Sequence, residues 1–292
     1  MKYLKMINKY LINPKSLAEI NAYLSNPKLP LLIYTEKGNN LKEILNYILT
    51  NIIKIDLKLI DSYPYILKID KSSTRSIGIS EIKKINNFLK LKVPLKNKIN
   101  RVILVKNGQF LTNEAQNNLL KNLEEHPKDT IFIIVAYNLK TILPTIKSRM
   151  QLINLLKPTR SQLLTYFEQA NYPKTKINEA LNISDCNLSI TKKILENDPK
   201  YAKALEYAKL IINSKVYNKM VLVNDLSSDK ESFKLILFMI IQMSKYGIIS
   251  KNKNNALFWQ KVLERSINMR LDIESNVQLK ILVLDYLLNF GR

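Results

Sequence analysis

Residues 112–150 read TNEAQNNLLKNLEEHPKDTIFIIVAYNLKTILPTIKSRM, and this stretch decides the fold. Thr112 can cap a helix. Glu114 stands in its first turn, where a negative charge meets the positive end of the helix dipole. Ala115, Leu119, Leu120 and Leu123 recur at helical spacing and predict a buried face, with Asn117, Asn118, Lys121, Glu124 and Glu125 outside. Pro127 ends the helix by disfavouring helical geometry at His126. His126 is the only histidine, and it reads as a loop residue rather than a base or ligand. Residues 130–136 (TIFIIVA) form the most apolar run, which predicts a strand buried on both faces at the centre of a sheet. Tyr137-Asn138 closes it. Pro144 suits the first turn of a short helix that ends at Lys147-Ser148-Arg149. A cation there meets the negative end of the helix and can cap its carbonyls. It is equally well placed to reach out of its own domain.

Working outward, four more short apolar runs predict strands: residues 30–34 (PLLIY), 65–69 (YILKI), 101–105 (RVILV) and 150–155 (MQLINL). Helical patterns lie between them. One carries Ile82, Ile85, Phe88 and Leu89 on one face, with Ser80 as its expected cap and a stop before Pro94. Residues 1–29 read as an amphipathic helical region with turns at Asn13-Pro14 and Asn26-Pro27. Five apolar strands alternating with helices predict an α/β domain with a mostly parallel sheet covered on both faces. The remainder has no strand period and predicts an all-α part. Short helices are expected at 159–170, 175–182 and 188–196, then longer ones near 200–214, 229–246, 255–269 and 274–290. The expected domains are 1–155, 156–199 and 200–292.

Composition narrows the classes. The chain has 292 residues, 46% of them hydrophobic, enough for two or three packed domains. One cysteine, Cys186, excludes an internal disulfide and a cysteine-based zinc site, and fits a reducing cytosol. No uninterrupted apolar run of signal-peptide length opens the chain. The most apolar segment, 235–241, is shorter than the roughly 20 residues a membrane span needs, so it is expected to be a bundle helix and no membrane is expected as a partner. The net charge of +22 points to an anionic partner such as nucleic acid. The abundance of Lys, Asn, Ile and Tyr throughout also fits an AT-rich coding bias.

The strand at 30–34, its loop and the following helix form the unit in which a P-loop would sit. That loop needs glycines so that backbone N–H groups can approach phosphates, a Lys to neutralise the β- and γ-oxygens, and a hydroxyl for Mg²⁺. Gly38 alone survives. Asn40 stands for the second glycine, Leu41 for the Lys and Lys42 for the hydroxyl residue. At the end of the strand at 101–105, where nucleotide hydrolases place carboxylates, stand Lys106 and Asn107. Two separate losses argue against catalytic ATP binding by this chain.

Three blocks carry a resemblance: Ser76-Ile77-Gly78-Ile79, then LLKNLEEHP from Leu119 to Pro127, then LPTIKSRM from Leu143 to Met150. Their order and spacing resemble the AAA+ subunits of the bacterial DNA polymerase III clamp loader, where the second block usually reads LLKTLEEPP and the third LPTIRSRC. The match spans residues ~30–155. By the resemblance, the all-helical remainder would be a lid (156–199) and an oligomerising collar (200–292). The two losses are most like the delta prime kind, the stator-like subunit, rather than the ATPase gamma/tau kind. The resemblance then implies that Arg149, supported by Ser148, is an arginine finger acting in trans on ATP and Mg²⁺ held by a neighbouring subunit. It implies gamma/tau and delta subunits, the sliding clamp and primed DNA as partners, a cytoplasmic location, no tightly bound cofactor and no metal. The chain would be a component of the polymerase holoenzyme without ATPase activity of its own.

The sequence departs from the family pattern in four places. Met150 replaces the usual Cys, His126 replaces a Pro, and no four-cysteine zinc module follows the first helix. The lid stretch Cys186-Asn187-Leu188-Ser189-Ile190-Thr191 lacks the family's phosphate-sensing Arg. Asn138 lies where the family senses the γ-phosphate, and without a P-loop Lys its expected role is structural. Two other readings stay open: an active ATPase of the gamma/tau type, and a basic DNA-binding protein with a decayed nucleotide fold.

Overall fold

The computed structural model describes residues 11–36, 38–70, 76–94, 97–249, 256–275 and 277–290. It divides into two compact units, 1–159 and 160–292.

The first unit is built on five strands: β1 (Leu31–Thr35), β2 (Ile66–Ile69), β3 (Arg101–Val105), β4 (Thr130–Ala136) and β5 (Gln151–Leu155). They pair in the order β2-β3-β4-β1-β5, and every pairing is parallel. The most apolar strand is indeed the central one, and all seven of its residues are buried. Edge strand β5 is covered on one face only, so Leu152 is exposed while Ile153 and Leu155 are buried.

Helices α1 (Pro14–Ser25) and α2 (Leu41–Ile53) pack on one face, against Leu31, Ile33, Val102, Ile133 and Val135. Helices α3 (Ile79–Leu89) and α4 (Asn113–Glu124) pack on the other, against Leu32, Ile103, Phe132 and Ile134. Successive strand residues point to opposite faces, so a run apolar at every position requires helices on both. Each fully buried Ile or Phe contributes roughly 1.5–3 kcal/mol. Short helix α5 (Pro144–Lys147) precedes β5, and its Ile146 is fully buried.

One local expectation needs correction. Ser80 does not cap α3. The helix already includes Ile79, Gly78 is the cap position, and the Glu81 carboxylate accepts from the Gly78 N–H at 3.0 Å and from the Ser80 hydroxyl at 2.7 Å. These donors hold the Glu81 carboxyl below its usual range, the Ser80 bond contributing most. Asn13 does cap α1, accepting from the Lys15 N–H at 3.0 Å, but the expected helicity of residues 1–10 lies outside the described residues.

The second unit is helical throughout its described residues. Helices α6 (Arg160–Gln169), α7 (Lys174–Ser184) and α8 (Leu188–Leu195) enclose a small core of Leu163, Phe167, Ile177, Ala180, Leu181 and Leu195. A larger core follows from α9 (Pro199–Asn213), α10 (Val216–Val221), α11 (Val223–Ser227), α12 (Lys230–Ile249), α13 (Ala256–Asp272) and α14 (Leu279–Leu288). The short pair α10 and α11 has no counterpart in the sequence reading, because neither is long enough to establish a helical period. The segment at 235–241 belongs to a longer helix than expected. At 20 residues and a mean hydropathy of 1.4, α12 has the length and composition of a membrane span. It is nevertheless the bundle helix the sequence suggested, with Phe233, Ile236, Leu237, Met239 and Ile240 buried against α9 and α13.

Candidate functional site

Because the sheet is parallel, its two ends carry different loops. Segments that follow strands gather at the carboxyl end, and segments that precede them gather at the amino end. The predicted site residues divide between the two.

The carboxyl end holds the loop after β1. Gly38 adopts φ 94°, which a glycine accommodates without strain. Asn39 turns its side chain inward, donating from Nδ2 to Thr35 Oγ1 at 2.9 Å and to the Leu155 carbonyl at 3.2 Å. The Leu41 N–H, at the start of α2, donates to the Asn39 carbonyl at 2.8 Å. Leu41 packs partly against the core, whereas Lys42 is exposed. The loop thus satisfies itself with groups that a phosphate-binding loop would offer to its ligand.

Beside it, Lys106 and Asn107 follow β3. Asn107 takes a left-handed conformation and donates from Nδ2 to Asp70 Oδ1 at 2.7 Å. Asp70, at the end of β2, is a carboxylate that the sequence reading passed over. The Asp61 carboxyl is held below its usual range by the Lys68 amine 2.7 Å away, with the charges of Lys42 and Lys106 adding to the effect. Among the described residues, no three His, Cys, Asp or Glu side chains come together as a metal site. Asn138 makes a local turn, accepting from the Lys140 N–H at 2.9 Å. His126 sits in the loop after α4, its Nδ1 3.0 Å from the Leu123 carbonyl and its ring edge-on to Phe132.

The amino end holds Ser148 and Arg149, immediately before β5. Leu31 at the start of β1 lies opposite Gln151 at the start of β5. Arg149 and the Gly38 loop are therefore at opposite ends of adjacent strands, separated by about 16 Å of five-residue strand at 3.3 Å per residue.

This corner is fixed by its neighbours. Thr112 caps α4 as expected, accepting from the Ala115 N–H at 3.1 Å. Gln116 is fully buried. Its Nε2 donates to the Leu111 carbonyl at 3.2 Å and the Thr141 carbonyl at 2.9 Å, and its Oε1 accepts from the Leu143 N–H at 2.8 Å. One amide thus ties the start of α4 to the entry of α5. Buried Ile146 and Met150 anchor the chain on either side, while the Arg149 side chain is 40% exposed.

The Arg149 guanidinium is held at two of its three nitrogens. Nε donates to Glu124 Oε1 at 2.5 Å, and Nη1 donates to the Thr145 carbonyl at 3.0 Å and to Ser148 Oγ at 3.4 Å. Ser148 Oγ itself donates to the Thr145 carbonyl at 3.0 Å. Among the described residues, no hydrogen bond occupies Nη2. The arginine therefore both caps the short helix, the plainer of the two sequence readings, and presents a donor to solvent.

Glu124, Gln116 and Asn39 were not singled out by the sequence. Gln116 had a signal, because a long polar residue sits beside the apolar positions 115, 119 and 123. Glu124 had none, because an outward carboxylate on a helix is ordinarily just solvated.

Comparisons with known proteins bear on the fold. Residues 34–159 match a family model described as DNA polymerase III, delta subunit. The delta' subunit of DNA polymerase III from Buchnera aphidicola subsp. Baizongia pistaciae is 29% identical over 103 residues, 35% of this chain and 30% of that one. The Haemophilus influenzae delta' subunit is 32% identical over 97 residues, 33% of this chain and 29% of that one. The matches thus span about a third of each relative's length. Among solved structures, a DNA polymerase III gamma subunit-related protein from Thermotoga maritima covers 95% of this chain and 100% of its own, with a TM-score of 0.54 at 20% identity, a likeness of fold. The shared architecture is a parallel α/β sheet domain followed by helices. Over residues 34–159, this chain is therefore similar to the delta-type subunits of DNA polymerase III.

Proposed function

We propose that this chain is a stator-like subunit of the replicative clamp loader, contributing Arg149 to ATP hydrolysis in a neighbouring subunit. The observation that carries this reading is the placement of Arg149 at the amino end of the sheet. A nucleotide held by this domain's own β1 loop would lie at the other end, out of the side chain's reach. A guanidinium that is half exposed and rigidly presented suits a phosphate on another molecule. Charge develops on the γ-phosphoryl oxygens during transfer, and a planar, permanently charged donor stabilises it.

The self-satisfied loop at Gly38, Asn40, Leu41 and Lys42 supports the non-catalytic half of the proposal. In this reading it is a degenerate P-loop, and ATP and Mg²⁺ belong to the neighbouring motor subunit. The partners are the gamma/tau and delta subunits, the sliding clamp and primed DNA, in the cytoplasm. Unit 160–292 leaves Tyr217, Val221, Ile281, Leu284 and Leu288 exposed, which fits a surface that other subunits cover.

The test uses the chain assembled with its cognate motor and delta subunits, clamp and primed DNA. Arg149→Ala is expected to lower ATP hydrolysis at the adjacent site by about a thousandfold, while the complex still assembles by size-exclusion chromatography. In an assembly with several active sites, that loss is read from single-turnover kinetics with the other sites inactivated. Undiminished hydrolysis at that site would refute the finger. Micromolar ATP binding by the chain alone would move the reading to an ATPase of the gamma/tau type.

A further inference from the structure

We infer that Glu124 is a positioning residue for Arg149, holding the guanidinium through its Nε–H in the orientation offered to the neighbouring nucleotide; this rests on the proposed role of Arg149 in trans. Four observations lead here. Glu124 is the last residue of α4, where a carboxylate meets the negative end of the helix dipole and is disfavoured on its own element. The Arg149 Nε donates to it at 2.5 Å, a charge-assisted bond. The pair is 40% and 48% exposed, so it contributes little to folding and its worth lies in orientation. The grip also leaves one nitrogen over. Nε is taken by Glu124, and Nη1 by the Thr145 carbonyl and Ser148 Oγ. Nη2 has no hydrogen-bond partner among the described residues.

This arrangement answers a difficulty of any arginine finger. A free arginine samples many rotamers and must be ordered during the reaction, whereas one fixed beforehand meets the developing charge without reorganisation. Helix α4 and the α5 corner are already joined through Gln116. Glu124 extends that rigid frame to the guanidinium. Its carboxylate takes the Nε–H and makes no hydrogen bond to Nη2, so it orients the cation while one donor nitrogen remains.

The experiment compares Glu124→Ala and Glu124→Gln with Arg149→Ala in the assembled loader, read as kcat and KM for ATP at the adjacent site. Glu124→Ala is expected to lower kcat by about tenfold to a hundredfold with KM little changed, because the donor is misplaced in the transition state and not in nucleotide binding. Glu124→Gln keeps an oxygen acceptor for Nε and is expected to restore most of the rate. Thermal melting of the variant chains is expected to match the parent, which separates positioning from stability. If Arg149→Ala reduces hydrolysis while Glu124→Ala leaves kcat unchanged, the tether is wrong and the finger stands. If Glu124→Ala and Glu124→Gln both raise kcat, the carboxylate restrains the finger, and the positioning role is overturned. If Arg149→Ala itself has no effect, the underlying reading fails with it.

Discussion

The two ends of one sheet have taken different courses. At the carboxyl end, the loop after β1 keeps a strand–turn–helix outline, but its hydrogen-bonding groups are turned inward: Asn39 bonds Thr35 and Leu155, and the first N–H of α2 bonds the Asn39 carbonyl. At the amino end, the corner before β5 is carried by the α4–α5 frame that Gln116 joins and is braced by Glu124 and Ser148, with one arginine nitrogen left without a partner among the described residues. The same core supports both, since β1 and β5 pair along their whole length. The difference lies in where polar groups point. A site whose donors are satisfied internally has nothing to offer a ligand, whereas one whose donors are braced by neighbours can offer the remaining one.

The strongest way to break this comparison is to disjoin that frame. Gln116→Leu keeps the approximate volume but leaves the Leu143 N–H and two carbonyls without their fully buried partner. Stranding such groups costs about 2–4 kcal/mol. The expected outcome is a lower urea midpoint with an unchanged slope. Arg149→Ala, on the half-exposed side of the same corner, is expected to shift stability by less than about 1 kcal/mol. Equal effects from the two would mean that the corner is not organised around the amide.

Much of this was legible in residues 112–150. Alternation of apolar strands with helical periods specifies a parallel sheet, and the uninterrupted TIFIIVA run marks its centre because only a strand covered on both faces avoids a polar position. Thr112 reads as a cap from chemistry alone. What could not be read is hydrogen bonding between elements distant in sequence. Nothing in the string indicates that Glu124 meets Arg149 across 25 positions, or that Asn39 reaches Leu155 across 116. Short α10 and α11 were invisible because their stability comes from packing in the bundle. The end of α12 was placed near 246 rather than at Ile249, because Gly247 reads as a helix stop.

A smaller effect probes the other end. Asn39→Ala removes two hydrogen bonds from a partly exposed side chain, and about 1 kcal/mol of stability is expected to go with them. No ATP affinity is expected to appear, because the backbone turn from Leu41 N–H to the Asn39 carbonyl remains. Equilibrium denaturation and a fluorescent-nucleotide titration read the two outcomes separately. A gain in binding on loss of Asn39 would show that its side chain alone keeps a competent loop closed.

The smallest change in stability is expected from Leu41→Lys, which restores the cation that the phosphate-loop pattern calls for. Leu41 is only partly buried, and a lysine stem can lie along the same apolar surface with its amine in water, so the expected shift is within about 1 kcal/mol. For binding, the side chain is the wrong thing to restore. Lys42 and Lys106 already add positive charge near this end of the sheet, a minor addition to the effect of Lys68 on the Asp61 carboxyl. A further amine raises a field that salt screens over about 8 Å at physiological ionic strength. What a phosphate needs in addition is a row of converging N–H groups. Here Asn40 stands at the second glycine position and the leading N–H of α2 is already bonded to Asn39. The variant is therefore expected to attract ATP weakly at low salt and to lose that attraction near 0.15 M salt. Saturable micromolar binding at that salt would place the whole deficit in one side chain and erase the contrast between the two ends. Its absence would locate the deficit in the backbone, which a single substitution at Leu41 cannot reverse.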